Sequence, residues 1–226
     1  MEGIDYKNFD AVVSKMRTFF RDVKGYKEVH TQNKLSILAA CEDPTTIATY
    51  NYNGQLWPLP QTGQMWLEHY LLEHPEEDGF FCVSTSYRNE PNPVEGRHDK
   101  IFPMFEFELK GGIDELRKVE MELLDYLGFN KEGETMTYPR DDYDNIAKKY
   151  DVEELDHIHE EYIERDFGKA FFLENFPRRT SPFWNMKHTE DKEHANKIDV
   201  IIHGIETIGS AERSNDPSQM KEMFNT

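Results

Sequence analysis

The sequence reads as an α+β fold, an antiparallel sheet flanked by helices. Three observations lead there. Apolar residues recur at helical spacing in two stretches, Phe9, Val12, Val13, Met16, Phe19, Phe20 and Val23, then Ile113, Leu116, Val119, Leu123, Leu124 and Leu127. Residues 80–87 and 105–109 have strand character and are joined by a polar loop, 89–100, with two prolines and a glycine. Strands and helices do not alternate in the rhythm of a parallel sheet.

Taken in order, the first helix stops at Gly25, and 26–31 alternates as a short strand. Residues 51–59 form a hairpin about Asn53-Gly54, the strongest short turn signal. Thr62 is placed to cap a helix over 63–74. Gly128 ends the helix that begins at Ile113. Helical character returns over 142–166, and buried strands are expected at 170–174 and 199–205, with a further short strand at 208–213.

The chain has 226 residues, 37% hydrophobic and 13% aromatic, enough for a real core. Its formal net charge is -18, so it repels polyanions at long range, and tRNA binding is not favoured by charge. Cys41 and Cys82 lie far apart, with no metal or disulfide spacing, and read as buried free thiols. No secretion signal or membrane span is visible, so a cytoplasmic location is expected. The His157, His159, Glu160 and Glu161 group reads as a solvated helix face, and Asp141, Asp142 and Asp144 as a helix start.

Chemistry concentrates in VSTSYRNEPNPVEGRHDKIFPMFEFELKG, 83–111. Arg88 at a strand end can grip a phosphate through two N–H groups and neutralise charge developing at phosphorus. Phe107 offers a flat face to an adenine, and Glu90 can accept from an exocyclic amine. A surface hairpin with ordinary loop charges would carry the same residues.

The stretch resembles motif 2 of the class II aminoacyl-tRNA synthetases, aspartyl/asparaginyl (D/K/N) branch. Tyr87-Arg88-Asn89-Glu90 opens it and Glu106-Phe107 stands on the returning strand, with Arg97-His98 in the loop. LPQTGQMWLE at 59–68, YPRDDY at 138–143 and FFLENFPRRTSPFWNM at 171–186 are similar to further blocks of that branch. So is DVIIHGIETIGSAERSNDP at 199–217. The resemblance implies a class II catalytic domain over 1–226, ATP and Mg²⁺ as cofactors, and a homodimer. It implies an amino acid, asparagine or aspartate, as substrate.

By the same resemblance Arg88, Glu90, His98 and Phe107 bind ATP, with Arg88 catalytic. Gln64, Leu67 and Arg213 face the amino acid, and Glu206 holds the metal with Asp199 assisting. A regular strand would put Asp199 and Glu206 on opposite faces unless it bends. Aspartate-specific members carry a lysine at the place of Leu67. The chain departs from the pattern at Gln32, where motif 1 has proline. The resemblance calls for a glycine-rich third motif after Gly209, which this sequence does not show, by truncation or by loss, and no anticodon-binding domain is expected with this core. The implied activity is formation of an aminoacyl-adenylate. An ammonia-dependent asparagine synthetase and a non-catalytic amino-acid-binding paralogue are the alternatives.

Overall fold

A computed structural model describes residues 4–31, 44–94, 96, 99–130, 137–190 and 192–224. The chain, read from the sequence as one domain, divides into two compact units, Met1–Lys110 and Gly111–Thr226. Each is described by itself.

In the first unit, α1 (Tyr6–Arg17) starts where the Asp5 carboxylate accepts from the Lys7 and Asn8 amides at 2.9 and 3.0 Å. It continues through a π-helical turn, Thr18–Val23, and breaks at Gly25, whose φ of 77° suits glycine. The periodic apolar residues serve that helix as expected. Phe20 is fully buried and meets Phe81, Phe105 and Phe107 at centroid distances of 5.9, 5.3 and 4.6 Å.

The short strand β1 (Lys27–Glu28) runs parallel to β4 (Gly79–Tyr87), and β4 pairs antiparallel with β5 (Ile101–Leu109). Strands β2 (Thr49–Tyr52) and β3 (Gln55–Pro58) form the hairpin at Asn53-Gly54, with φ values of 52° and 78° as a type I′ turn requires. Helix α2 (Gln64–Glu73) follows. Strand β5 begins four residues before the sequence suggested, because Pro103 reads as a breaker. It is tolerated because β5 has β4 as its one strand neighbour among the described residues.

In the second unit, α3 (Ile113–Leu127) opens where Glu115 accepts from the Gly112 amide at 2.8 Å and ends at Gly128, φ 98°. A four-stranded sheet follows, ordered β6 (Arg140–Asp142), β7 (Ala170–Pro177), β8 (His194–Ile202), β9 (Ile205–Ala211). Between β6 and β7 the helical stretch is two helices, α4 (Tyr143–Lys149) and α5 (His157–Phe167). The break contains Asp151 at φ 56°, and Asp156 caps α5 through the Ile158 and His159 amides. The chain ends with α6 (Pro217–Phe224).

Period-2 alternation sorts the sheet into two faces. Phe171, Leu173 and Ile201 pack with Tyr143, Ile146 and Ile163 of α4 and α5. Phe172, Ile198 and Val200 pack with Leu124 of α3 and with Tyr138. Asp144 at the start of α4 pairs with Arg179 and with His194 (2.9 Å), which hold its carboxyl below the usual range, His194 first. Among the described residues no three His, Cys, Asp or Glu side chains are grouped to hold a metal; His159 pairs with Asp156.

One buried charge on α3 has a measurable consequence. Glu120 is fully buried, and burial pushes its carboxyl up to about 8. Asp199 and Glu174 add to the rise. Ser210 and Arg117 offset it only partly, since the Ser210 hydroxyl donates to the Ile198 carbonyl at 3.3 Å. A folded pKa above the unfolded one means stability is present at low pH and lost as pH rises through about 8. Urea unfolding at several pH values should show stability falling between pH ~5 and ~9. Glu120→Gln should flatten that slope; an unchanged slope would remove Glu120 as its source.

Candidate functional site

The β4–β5 register decides which side chains of the first unit share a face. Cys82, Ser84 and Ser86 stand opposite Glu106, Met104 and Phe102, and Arg88 continues the same row. Phe81 and Val83 stand opposite Phe107 and Phe105 on the alternate row, beneath Phe20. The ring beside Arg88 is therefore Phe102, with the guanidinium 5.2 Å from its centroid. Phe107, expected to stack on a nucleotide, stands on the opposite face of β5 from Arg88, half-buried against Phe20.

Arg88 is held at its root. Its amide donates to the Lys100 carbonyl at 2.8 Å, its backbone bridges Ile47, and its Nε reaches the fully buried Ser86 hydroxyl at 3.4 Å. Glu90 lies half-buried two residues on. His98 lies outside the described residues.

Glu106 organises the rest of this face. Its carboxylate accepts from the Gly63 amide at 2.8 and 3.0 Å, from the Ser84 hydroxyl at 2.6 Å and from the Thr62 hydroxyl. Thr62 in turn accepts from the Gln64 amide at 3.0 Å, but the N-cap of α2 is Gly63, one residue beyond the threonine the sequence suggested. A carboxylate at a helix N-terminus is favoured by the orphan amides there. Gly63 is needed for closeness: a Cβ would lie 2.7 Å from Thr31 Cγ2 and 3.1 Å from Glu106 Oε2. Cys82 is buried alongside, and burial plus the Glu106 charge push its thiol up, so it is an inert packing group; Cys41 lies outside the described residues.

Gln64, expected to bind the amino acid, is buried in this cluster and donates to Glu68 at 2.5 Å. Leu67 is fully buried with Phe80 and Cys82, so it shapes the floor rather than offering a contact to a polar group. Sequence reasoning missed Thr62 as a partner of Glu106, Ser84, Phe102 and the organising role of Glu106. The available signal was alternation, which sets Ser84 and Ser86 on β4 and Glu106 on β5 to one face.

In the second unit two β-bulges arrange the chemistry. The first, between Glu174 and Phe176, has Asn175 at φ 55°. It turns Phe176 to the face of Leu173, where its ring lies 3.9 Å from Lys197 Nζ. The second, between Val200 and Ile201, sets Ile201 opposite Glu206 while Asp199 stays opposite Gly209. Without it Glu206 would face away from Asp199. The sequence reading put the two on opposite faces unless the strand bends, and this bulge is that bend.

The two carboxylates converge over Gly209. A Cβ there would lie 2.7 Å from Glu206 Oε1 and 3.7 Å from Asp199 Oδ1. Asp199 is buried; its Oδ2 accepts from Lys197 Nζ at 2.6 Å, and its Oδ1 has no hydrogen-bond partner. Burial pushes the Asp199 carboxyl up, Lys197 draws it back, and Glu206 adds to the rise. Burial favours a neutral Lys197, but Asp199 and Glu206 outweigh it and raise its pKa. Arg213 follows two residues beyond Ala211, half-buried, with its backbone bridging Met186.

On the opposite face Glu174 is clamped by Arg117 at 2.6 and 3.0 Å. That pair ties α3 to β7.

The family model for class II tRNA synthetases (D, K and N) matches residues 6–226. The chain belongs to that family. Among curated relatives, aspartate–tRNA(Asp) ligase of Thermoplasma volcanium is 24% identical over 230 residues, covering 91% of this chain and 53% of its own length. The aspartate–tRNA(Asp) ligase of Thermoplasma acidophilum is 23% identical over 221 residues, covering 88% of this chain and 51% of its own length. The fold is that of asparaginyl-tRNA synthetase from Pyrococcus horikoshii, solved with asparaginyl-adenylate. The TM-score is 0.81 at 20% identity, over 96% of this chain and 55% of that one. The chain thus spans about half the length of the relatives it matches. The α+β class read from the sequence is the fold of this family, and Arg88, Asp199, Glu206 and Arg213 stand within the matched span.

Proposed function

We propose that this chain activates asparagine or aspartate with ATP, forming an aminoacyl-adenylate and pyrophosphate. The observation that carries the reading is the row Arg88, Phe102, Glu106 on one face of β4–β5. It offers a guanidinium for phosphate, a ring for adenine and a carboxylate complementary to an amino acid's ammonium. Family membership supports it, as does the convergence of Asp199 and Glu206.

In this reading the amino acid's carboxylate attacks the α-phosphate. Arg88 meets the charge that develops there, from a side chain already positioned by Ser86 and Phe102. Gln64, fixed by the Thr62–Glu106 network, binds the amino acid. The free Asp199 Oδ1 and Glu206 Oε1 suit a hard cation, and Mg²⁺ bound there would neutralise phosphate charge.

A homodimer and a cytoplasmic location go with this proposal. Supporting the first, Ile4 just before α1 and Tyr6, Phe9 and Val12 on it are exposed beside an apolar groove of about 370 Å³. No described helix is long and apolar enough to cross a membrane.

ATP–pyrophosphate exchange with asparagine and with aspartate tests the activity; no exchange with any amino acid by the folded chain would reject it. Two phenylalanines separate the roles. Phe102→Ala should raise the KM for ATP by about tenfold with little loss of stability. Phe107→Ala should leave that KM unchanged and lower stability by about 2–3 kcal/mol. The reverse pattern would return the nucleotide role to Phe107.

A further inference from the structure

Lys197 is a cation placed against the two carboxylates read above as metal-binding. Its ammonium already takes Asp199 Oδ2 at 2.6 Å, and its side chain is only 20% exposed. It is fixed there from below by the Phe176 ring at 3.9 Å, a position set by the bulge at Asn175. The other oxygen, Oδ1, is buried, unpartnered and aimed with Glu206 Oε1 into the space over Gly209. Glu160 of α5, the other acid near this pair, has its Oε2 engaged by the Glu206 amide at 3.0 Å. Among the described residues no third carboxylate, histidine or thiol completes a metal site.

A divalent cation entering on Oδ1 would sit a few ångströms from the ammonium, and beside the buried Asp199 carboxylate such like charges are less screened than in water and repel. Two carboxylates and one ammonium leave a single net negative charge, too little to hold a bare dication well. The phosphates of a nucleotide supply both missing negative charge and missing oxygens.

We propose that Lys197 is a positioning residue that keeps the Asp199–Glu206 pair charge-compensated, so that the pair takes up a divalent cation only together with ATP. This rests on the assignment of Asp199 and Glu206 to the metal. The ammonium also fixes which carboxylate oxygen is left for the cation, Oδ1, by occupying Oδ2.

The test is Mn²⁺ titration of the whole chain, read by loss of the free-ion electron paramagnetic resonance signal, with and without a non-hydrolysable ATP analogue. Wild type and Lys197→Arg should bind Mn²⁺ at this pair only with nucleotide. Lys197→Met, shown folded by circular dichroism, should bind it without nucleotide at least about tenfold more tightly than wild type. Asp199→Asn added to Lys197→Met should abolish the gain. A folded Lys197→Met that gains nothing overturns the proposal. So does nucleotide-free Mn²⁺ binding by wild type that a folded Asp199→Asn chain loses, a result that leaves the metal assignment standing. Mn²⁺ binding that Asp199→Asn and Glu206→Gln leave untouched even with nucleotide overturns the metal assignment, and the proposal with it.

Discussion

Arg88→Ala is expected to lower ATP–pyrophosphate exchange by about 10²–10³-fold while the chain remains folded. Among the described residues Arg88 is the one guanidinium on the Phe102–Glu106 row, and its backbone pairing with Lys100 and Ile47 survives truncation. Most of the loss should therefore be in kcat, because a group matched to charge that develops late contributes little to ground-state binding. Arg88→Lys should recover only a fraction, since an ammonium cannot present two parallel N–H groups. A loss confined to KM would mean that Arg88 merely anchors ATP.

Glu106→Ala is expected to lower the stability of the first unit by about 2–4 kcal/mol. It removes the shared acceptor of the Gly63 amide and the Thr62 and Ser84 hydroxyls. Hydrogen bonds to a charged acceptor are worth more than neutral ones, and the donors left behind are partly buried. Glu106→Gln should cost less, because its carbonyl oxygen can still accept from Gly63 while its NH₂ faces donors. Denaturant unfolding checks both. Equal stability of Glu106→Ala and wild type would show that the start of α2 does not depend on this network.

Much of this was legible in the residues. The spacing of Phe19 and Phe20, the Asn53-Gly54 turn and the apolar row from Ile113 to Leu127 each gave the element later seen. Phe107 stands on the Phe20 side of β5 for a reason present in the sequence. Residues 105, 107 and 109 are apolar while 106 and 108 are acidic, so alternation alone assigns Phe107 to the core and Glu106 to the polar face.

The second unit was harder. Whether Asp199 and Glu206 meet depends on an extra residue at Thr207 that shifts the β8–β9 register, and a bulge leaves little trace in composition. Asn175, which tolerates positive φ, is the faint signal for the bulge that brings Phe176 under Lys197. The Lys197–Asp199 pair itself is two residues apart on one strand. It could have been read as a same-face ion pair, but nothing local says that it is buried.

Calorimetric titration with the non-hydrolysable sulfamoyl analogues of asparaginyl- and aspartyl-adenylate bears most directly on the proposed chemistry. One analogue should bind with a stoichiometry of about one, and more than ~100-fold tighter than the free amino acid or ATP alone, because it joins both halves of the site. Absence of heat with either analogue, from a chain whose circular dichroism shows it folded, would contradict the assignment of Arg88, Phe102 and Glu106 to an adenylate-forming site.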